Sequence, residues 1–245
     1  MFFGISSVLF GTGVVLTVVW CRSMSAMGGM PMPGGWTMSM AWMPMPGRTW
    51  PAAAASFLGM WVVMMVAMML PAVVPTLWRY RQTSGGPATA LAGAGYFFVW
   101  TVVGMAVFLL GALLAAAVMR EPALSRAAPV VAGVVVLIAG SLQLTGWKAT
   151  HLACLREWPG CGYALPGNAG RAWRDGLRLG VHCTRCCAGL MGILLVVGVM
   201  DLRAMAVVGT AIAMERLAPS GQRVARAAGV VAVGAGLFLV VRAMA

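Results

Sequence analysis

Residues 51–77 read PAAAASFLGMWVVMMVAMMLPAVVPTL, and no charged side chain interrupts them. About 20 apolar residues in helical conformation cross the ~30 Å hydrocarbon of a bilayer, so this run reads as a membrane-spanning helix. Pro71 and Pro75 stand near its end. Membrane helices tolerate proline where neighbours re-satisfy the backbone, and these two are expected to kink the helix. Comparable runs lie on both sides: 2–20 before it, and 90–119, 129–147, 172–200 and 224–241 after it. A shorter run, 204–217, reaches only ~21 Å at ~1.5 Å per residue and spans only if flanking residues join it. The expected fold is therefore all-α, a polytopic helical membrane bundle of six to seven transmembrane helices. It forms a single integral membrane domain over 1–245.

Composition agrees with this reading. Of the 245 residues, 61% are hydrophobic and 9% charged, where a soluble domain carries roughly 25% charged residues. The formal charge of +12 comes from 17 Lys and Arg against 5 acids. In a soluble protein such an excess suggests nucleic acid. Here the basic residues fall mainly in short loops between apolar runs, where they set orientation, so the expected partner is the lipid bilayer and not nucleic acid.

With the N-terminus in the cytoplasm, the inner loops hold Arg79, Arg81, Lys148, Arg156, Arg171, Arg174, Arg178, Arg216, Arg223 and Arg226. The outer ends hold Arg22, Arg48, Arg120, Arg126, Arg203 and Arg242. The bias favours this multi-pass orientation in the cell membrane. The first run has no basic residue before it, and Trp20 before Cys21 is too bulky for a lipoprotein cleavage site, so it reads as a true span. The missing basic flank suggests a start upstream of Met1.

The chemistry concentrates at residues 182–187, His-Cys-Thr-Arg-Cys-Cys. On a helix Cys183 shares a face with Cys186 and Cys187, and His182 shares one with Cys186. His151 and Cys154 stand at i and i+3 in the preceding segment, and a hairpin between the runs on either side would bring Cys154 to the cluster. Cys161 is a further loop candidate. Thiolate and imidazole are the ligands that hold Zn(II) or Cu(I). Reduced thiols also suit the cytoplasmic side assigned to the segment 148–187. Inert packing is the plain alternative, since Cys is among the most buried residue types. Thiol redox chemistry is another, with Arg185 placed to lower the pKa of a neighbour.

Two methionine patterns accompany the thiols. Met60, Met64 and Met68 form one row along the 51–77 helix, and Met65 and Met69 form a parallel one. Thioethers select Cu(I), although a Met stripe also serves as a flexible core filler. The extracytoplasmic loop 21–50 is rich in Met, Pro and Gly, and carries Met24, Met27, Met30, Met32, Met38, Met40, Met43 and Met45. Its prolines and glycines prevent a regular helix. Among the charges, Asp201 with Arg203 and Glu215 with Arg216 read as helix-end ion pairs at the interface. There is no phosphate loop, no GxSxG and no HExxH, which favours a non-catalytic role.

Several stretches together resemble a known family. They are Met60-Trp61-Val62-Val63-Met64-Met65-Val66-Ala67-Met68-Met69-Leu70-Pro71 with Pro75, then Lys148 and Cys154-Leu155-Arg156. Further on come Gly180-Val181-His182-Cys183, Cys186-Cys187-Ala188-Gly189-Leu190-Met191, Gly198-Val199-Met200 and Glu215-Arg216-Leu217-Ala218-Pro219. Over about residues 50 to 220 the chain resembles DUF2182, a family described as metal-binding integral membrane proteins. The family often has Tyr-Cys and Gly-Cys-Cys-Trp in the thiol block, where this chain reads His182-Cys183 and Arg185-Cys186-Cys187-Ala188. The resemblance implies metal binding and carries the ligand role to Cys183, Cys186 and Cys187, with His182 as an added ligand.

The function expected is binding of a soft transition metal, a copper or zinc ion, for metal handling or metalloenzyme assembly. The ligands expected are Cys154, Cys183, Cys186, Cys187, His182 and His151, with Cys161 and the methionines of the stripe behind them. The same residues also fit a membrane thiol–disulfide oxidoreductase, a metal transporter, or an accessory subunit of a larger membrane enzyme. A membrane-protein partner or a second copy fits each of these.

Overall fold

A computed structural model describes residues 1–26, 28–43, 47, 49–156 and 168–244. Among these are eight α-helices: α1 Phe2–Ala26, α2 Trp50–Ser84, α3 Gly86–Arg120, α4 Pro122–Gln143, α5 Gly146–Arg156, α6 Ala169–Val197, α7 Leu202–Leu217 and α8 Gly221–Met244. All but α5 and α7 are long and apolar enough to cross a membrane. The chain is thus an all-α, multi-pass membrane protein. Cys161 and the loop methionines Met27 and Met45 lie outside the described residues.

Sequence chemistry sets the helix limits. Proline occupies the first turns of α2, α3 and α4, where its missing N–H has no intrahelical partner to lose. The α2–α3 corner turns on Gly85, whose φ of 80° is open to glycine. Its N–H closes α2 on the Arg81 carbonyl at 3.0 Å. Asn168 caps α6 by accepting from the Arg171 N–H, and Asp201 caps α7 by accepting from Arg203 and Ala204 N–H. The Asp201 carboxylate is therefore a helix cap bound to backbone, rather than the partner of the Arg203 side chain.

Helices meet where glycine lets backbones approach, the usual device in lipid, where burial of oil against oil supplies little drive. A Cβ on Gly95 would sit 2.7 Å from the Trp173 carbonyl of α6, and one on Gly180 would lie 3.0 Å from the Tyr96 carbonyl of α3. The most extensive pairing joins α4 to α8. Gly133 faces Val240, Gly140 faces Ala232 and Val233, Gly229 faces Gln143, and Gly236 faces Leu137. Gly176→Ala should cost about 1–3 kcal/mol, because the new methyl would overlap the Ala92 backbone carbonyl. Gly170→Ala, where the nearest neighbour is Asn168 Oδ1 at 3.7 Å, is the control expected within ~0.5 kcal/mol of wild type. Thermal unfolding of both variants in detergent decides the matter.

The loop between α1 and α2 is more ordered than its composition suggests. α1 continues to Ala26, and Met30–Met32 (β1) pairs antiparallel with Trp36–Met38 (β2). This hairpin is pinned to the start of α4: the Trp36 indole N–H donates to the Ser125 carbonyl at 3.0 Å, and the Ser125 hydroxyl donates to the Pro33 carbonyl at 2.7 Å. Met38 is buried. Trp42 packs on Phe57, Phe57 stacks on Trp61, and the Trp61 N–H donates to the Trp100 carbonyl at 2.8 Å. A ladder of aromatic rings thus runs from the hairpin into the core.

The segment following residue 148 reads as a polar loop, yet it contains α5, and Lys148, which reads as the end of a span, is 2% exposed. Leu152 and Leu155 bury α5 in the bundle, and Arg79 Nη1 donates to the carbonyl of Arg156 at its last turn. This helix is too short for a span-length hydrophobic signal, and side-chain neighbours from α2, α6 and α7 make it stable.

Candidate metal centre

α6 carries the thiols well inside the bundle. Cys183, Cys186 and Cys187 occupy one helical face, and their exposures are 0%, 2% and 1%. The Sγ atoms of Cys183 and Cys187 lie 3.9 Å apart. Tyr96 Oη of α3 is 3.1 Å from Cys183 Sγ. The Trp100 side chain also neighbours Cys183, and its buried Nε1 has no hydrogen-bond partner among the described residues. Neither aromatic stands out in the sequence, because no motif marks α3. The only sign is a Tyr and a Trp at i and i+4 in an apolar helix.

Two cations complete the surroundings. Lys148 Nζ donates to the Cys186 carbonyl at 2.7 Å and pairs with Glu215 Oε2 at 2.7 Å. Gln143 Nε2 donates to the other Glu215 oxygen at 2.8 Å. Glu215 is 1% exposed, so it is a core residue and not half of an interfacial pair with Arg216. Adjacent side chains on a helix diverge, and Arg216 is buried within electrostatic range of Cys183, Tyr96, Cys187 and Cys186. Its Nε and Nη2 are buried without hydrogen-bond partners among the described residues. Burial opposes the charge on Lys148, but the facing Cys186 and Glu215 more than offset this and hold its ammonium above the usual lysine range. Arg185 is exposed; the guanidinium buried within electrostatic range of the thiols is that of Arg216.

The histidines form a separate pair. The His151 and His182 ring centroids are 5.9 Å apart, across α5 and α6. His151 Nδ1 donates to the Trp147 carbonyl at 2.9 Å, which leaves Nε2 as its free nitrogen. His182 Nδ1 is buried without a partner among the described residues. Cys154 is half-buried on α5, three residues beyond His151. Among the described residues, no three His, Cys, Asp or Glu side chains are arranged as a closed metal-holding group. The expected ligands therefore come as a buried thiol set and a half-buried histidine pair, related by the step from His182 to Cys183.

The methionine stripe borders the same core. Met60, Met64, Met65, Met68 and Met69 are all at most 5% exposed. They belong to one buried cluster that includes the three thiols, Met191 and Met205. Met68 packs against Gly209 of α7.

A family model described as copper chaperone, PpoB2, matches residues 58–239. That range takes in the stripe, the thiols, the histidine pair and Arg216. No curated protein and no solved structure matches the chain.

Proposed function

The chain belongs to the PpoB2 copper chaperone family, and from that premise we propose that it carries Cu(I) as cargo on the thiols of α6. The observation that carries this reading is the 3.9 Å separation of Cys183 and Cys187 Sγ in a fully buried setting. With metal–sulfur bonds of about 2.3 Å, two sulfurs on one ion lie no more than ~4.6 Å apart, so this pair fits one ion without moving the helix. Cys186 supplies a third sulfur on the same face, and the thioethers of α2 add soft neighbours that discriminate against hard cations.

Charge favours a monovalent cargo. Lys148 and Arg216 bring two positive charges to the site and Glu215 one negative. The remaining positive charge is expensive in a membrane interior. Two thiolates and one Cu(I) bring the sum to zero; two thiolates and Zn(II) leave it positive. The basic residues of the loops favour the α5 end as cytoplasmic, where thiols stay reduced. The half-buried His151–His182 pair is the entry step in this reading, passing the ion to the adjacent Cys183. A protein acceptor would receive it.

The test is copper stoichiometry of reduced, detergent-purified protein. Wild type should hold about one Cu(I) per chain against a chromophoric Cu(I) chelator, and Cys183→Ser/Cys187→Ser should hold almost none while remaining monodisperse. His151→Ala should keep the stoichiometry and slow loading several-fold. Equal copper in wild type and the double thiol variant would overturn the assignment.

A further inference from the structure

A cavity of about 620 Å³ opens beside α5, away from the thiols. It is lined by Leu152, Ala153 and Arg156 of α5, by Pro219 and Ser220 of the α7–α8 turn, and by Gln222 and Arg223 of α8. Its volume is that of a small-molecule site. The described lining contains two guanidiniums and no carboxylate. The first turn of α8 adds the positive end of its helix dipole at the same wall.

The guanidinium of Arg156 is held by the fold. Arg156 Nη2 donates to the Pro219 carbonyl at 3.3 Å, and the Arg156 carbonyl accepts from Arg79 Nη1 at 2.8 Å. Gly221 makes room for it: a Cβ there would overlap both Arg156 Nη1 and the Glu215 carbonyl. A fixed arginine fork, a second, exposed arginine in the first turn of α8 and the dipole of that helix all act on one open cleft. Arginine forks match the oxygens of phosphate in paired hydrogen bonds.

We propose that this cavity binds a phosphate-bearing anion. α5 and the turn that follows α7 form its walls; α5 carries Lys148, and α7 carries Glu215 and Arg216, to the surroundings of the thiols. An occupant would thus brace the elements that surround the thiols, although its binding does not depend on copper.

The experiment uses the full chain, copper-free, in detergent. Inorganic phosphate is titrated with thermal unfolding as readout, and vesicle-extracted protein is examined by native mass spectrometry for retained phosphatidylglycerol. Stabilisation by phosphate at millimolar concentration, weakened roughly tenfold or more in Arg156→Gln/Arg223→Gln, supports the site with a soluble phosphate as its occupant. Retention of the phospholipid by wild type and its loss in the double variant support the site with a lipid headgroup as its occupant. Gly221→Ala, which displaces Arg156 without removing it, should weaken either signal, and Arg171→Gln on α6 should change neither. Failure of both probes to bind wild type, or equal binding by the double variant, overturns the proposal. Copper stoichiometry of the same samples reports separately on the thiol assignment.

Discussion

Lys148→Met should lower the stability of the detergent-solubilised protein by about 3–5 kcal/mol, among the largest losses available to a single side chain here. The substitution keeps the apolar stem and removes one charge. Glu215, 1% exposed, is then left with Gln143 as its hydrogen-bond partner and no counter-charge from Lys148. The Cys186 carbonyl also loses its donor. Desolvation of an unpaired carboxylate dominates the sum, because taking an ion out of water costs several kcal/mol that only the pair offsets. Lys148→Met/Glu215→Gln should recover most of the loss, since both charges are gone and the amide still pairs with Gln143. Denaturant unfolding followed by tryptophan fluorescence measures all three proteins. A loss below ~1 kcal/mol in the single variant would mean that water reaches this pair and that the site is wetter than its geometry implies.

Trp61→Ala comes second, with an expected loss of about 3–5 kcal/mol. Trp61 is 1% exposed, lies over Gly104 of α3, stacks on Phe57 and donates to the Trp100 carbonyl. Removing it opens a large void between α2 and α3 at the level where Trp100 approaches Cys183. Trp61→Phe keeps most of the packing and drops the hydrogen bond, so about 1 kcal/mol is expected. The two variants separate packing from positioning. Trp61→Ala should also reduce copper occupancy at fixed chelator, and Trp61→Phe should leave it near wild type. Comparable unfolding midpoints for Trp61→Ala and wild type would show that α2 and α3 are held together elsewhere.

The spans were legible because hydrocarbon thickness imposes a length on apolar runs. The run at 51–77 and the end of the chain each became a helix of the expected kind. The shared face of Cys183, Cys186 and Cys187 was equally legible, since helical periodicity alone places i, i+3 and i+4 together. What escaped the sequence was contact between distant segments. Nothing local distinguishes Glu215 as the partner of Lys148 rather than of its neighbour Arg216. Nothing local marks Tyr96 and Trp100 as the thiols' companions. The glycines of α4 and α8 carry no chemistry, and they gain meaning only when Gly140 is found against Ala232 and Gly229 against Gln143. α5 went unseen because its burial depends on side chains brought to it by other helices.

The shortness of α7 gives the molecule a thin flank. Its 16 residues rise only ~24 Å, while α2, which packs against it, is 35 residues long. Val207, Met214 and Leu217 face outward along it, so acyl chains there meet a wall lower than the ~30 Å slab they form elsewhere. Lipids beside α7 must compress or tilt, at a fraction of a kcal/mol for each ångström of mismatch. That cost falls in thin bilayers and rises in thick ones. Bilayer thickness thereby becomes a variable that acts on this protein with no ligand at all, and it acts on the helix that carries Glu215 and Arg216 to the thiols.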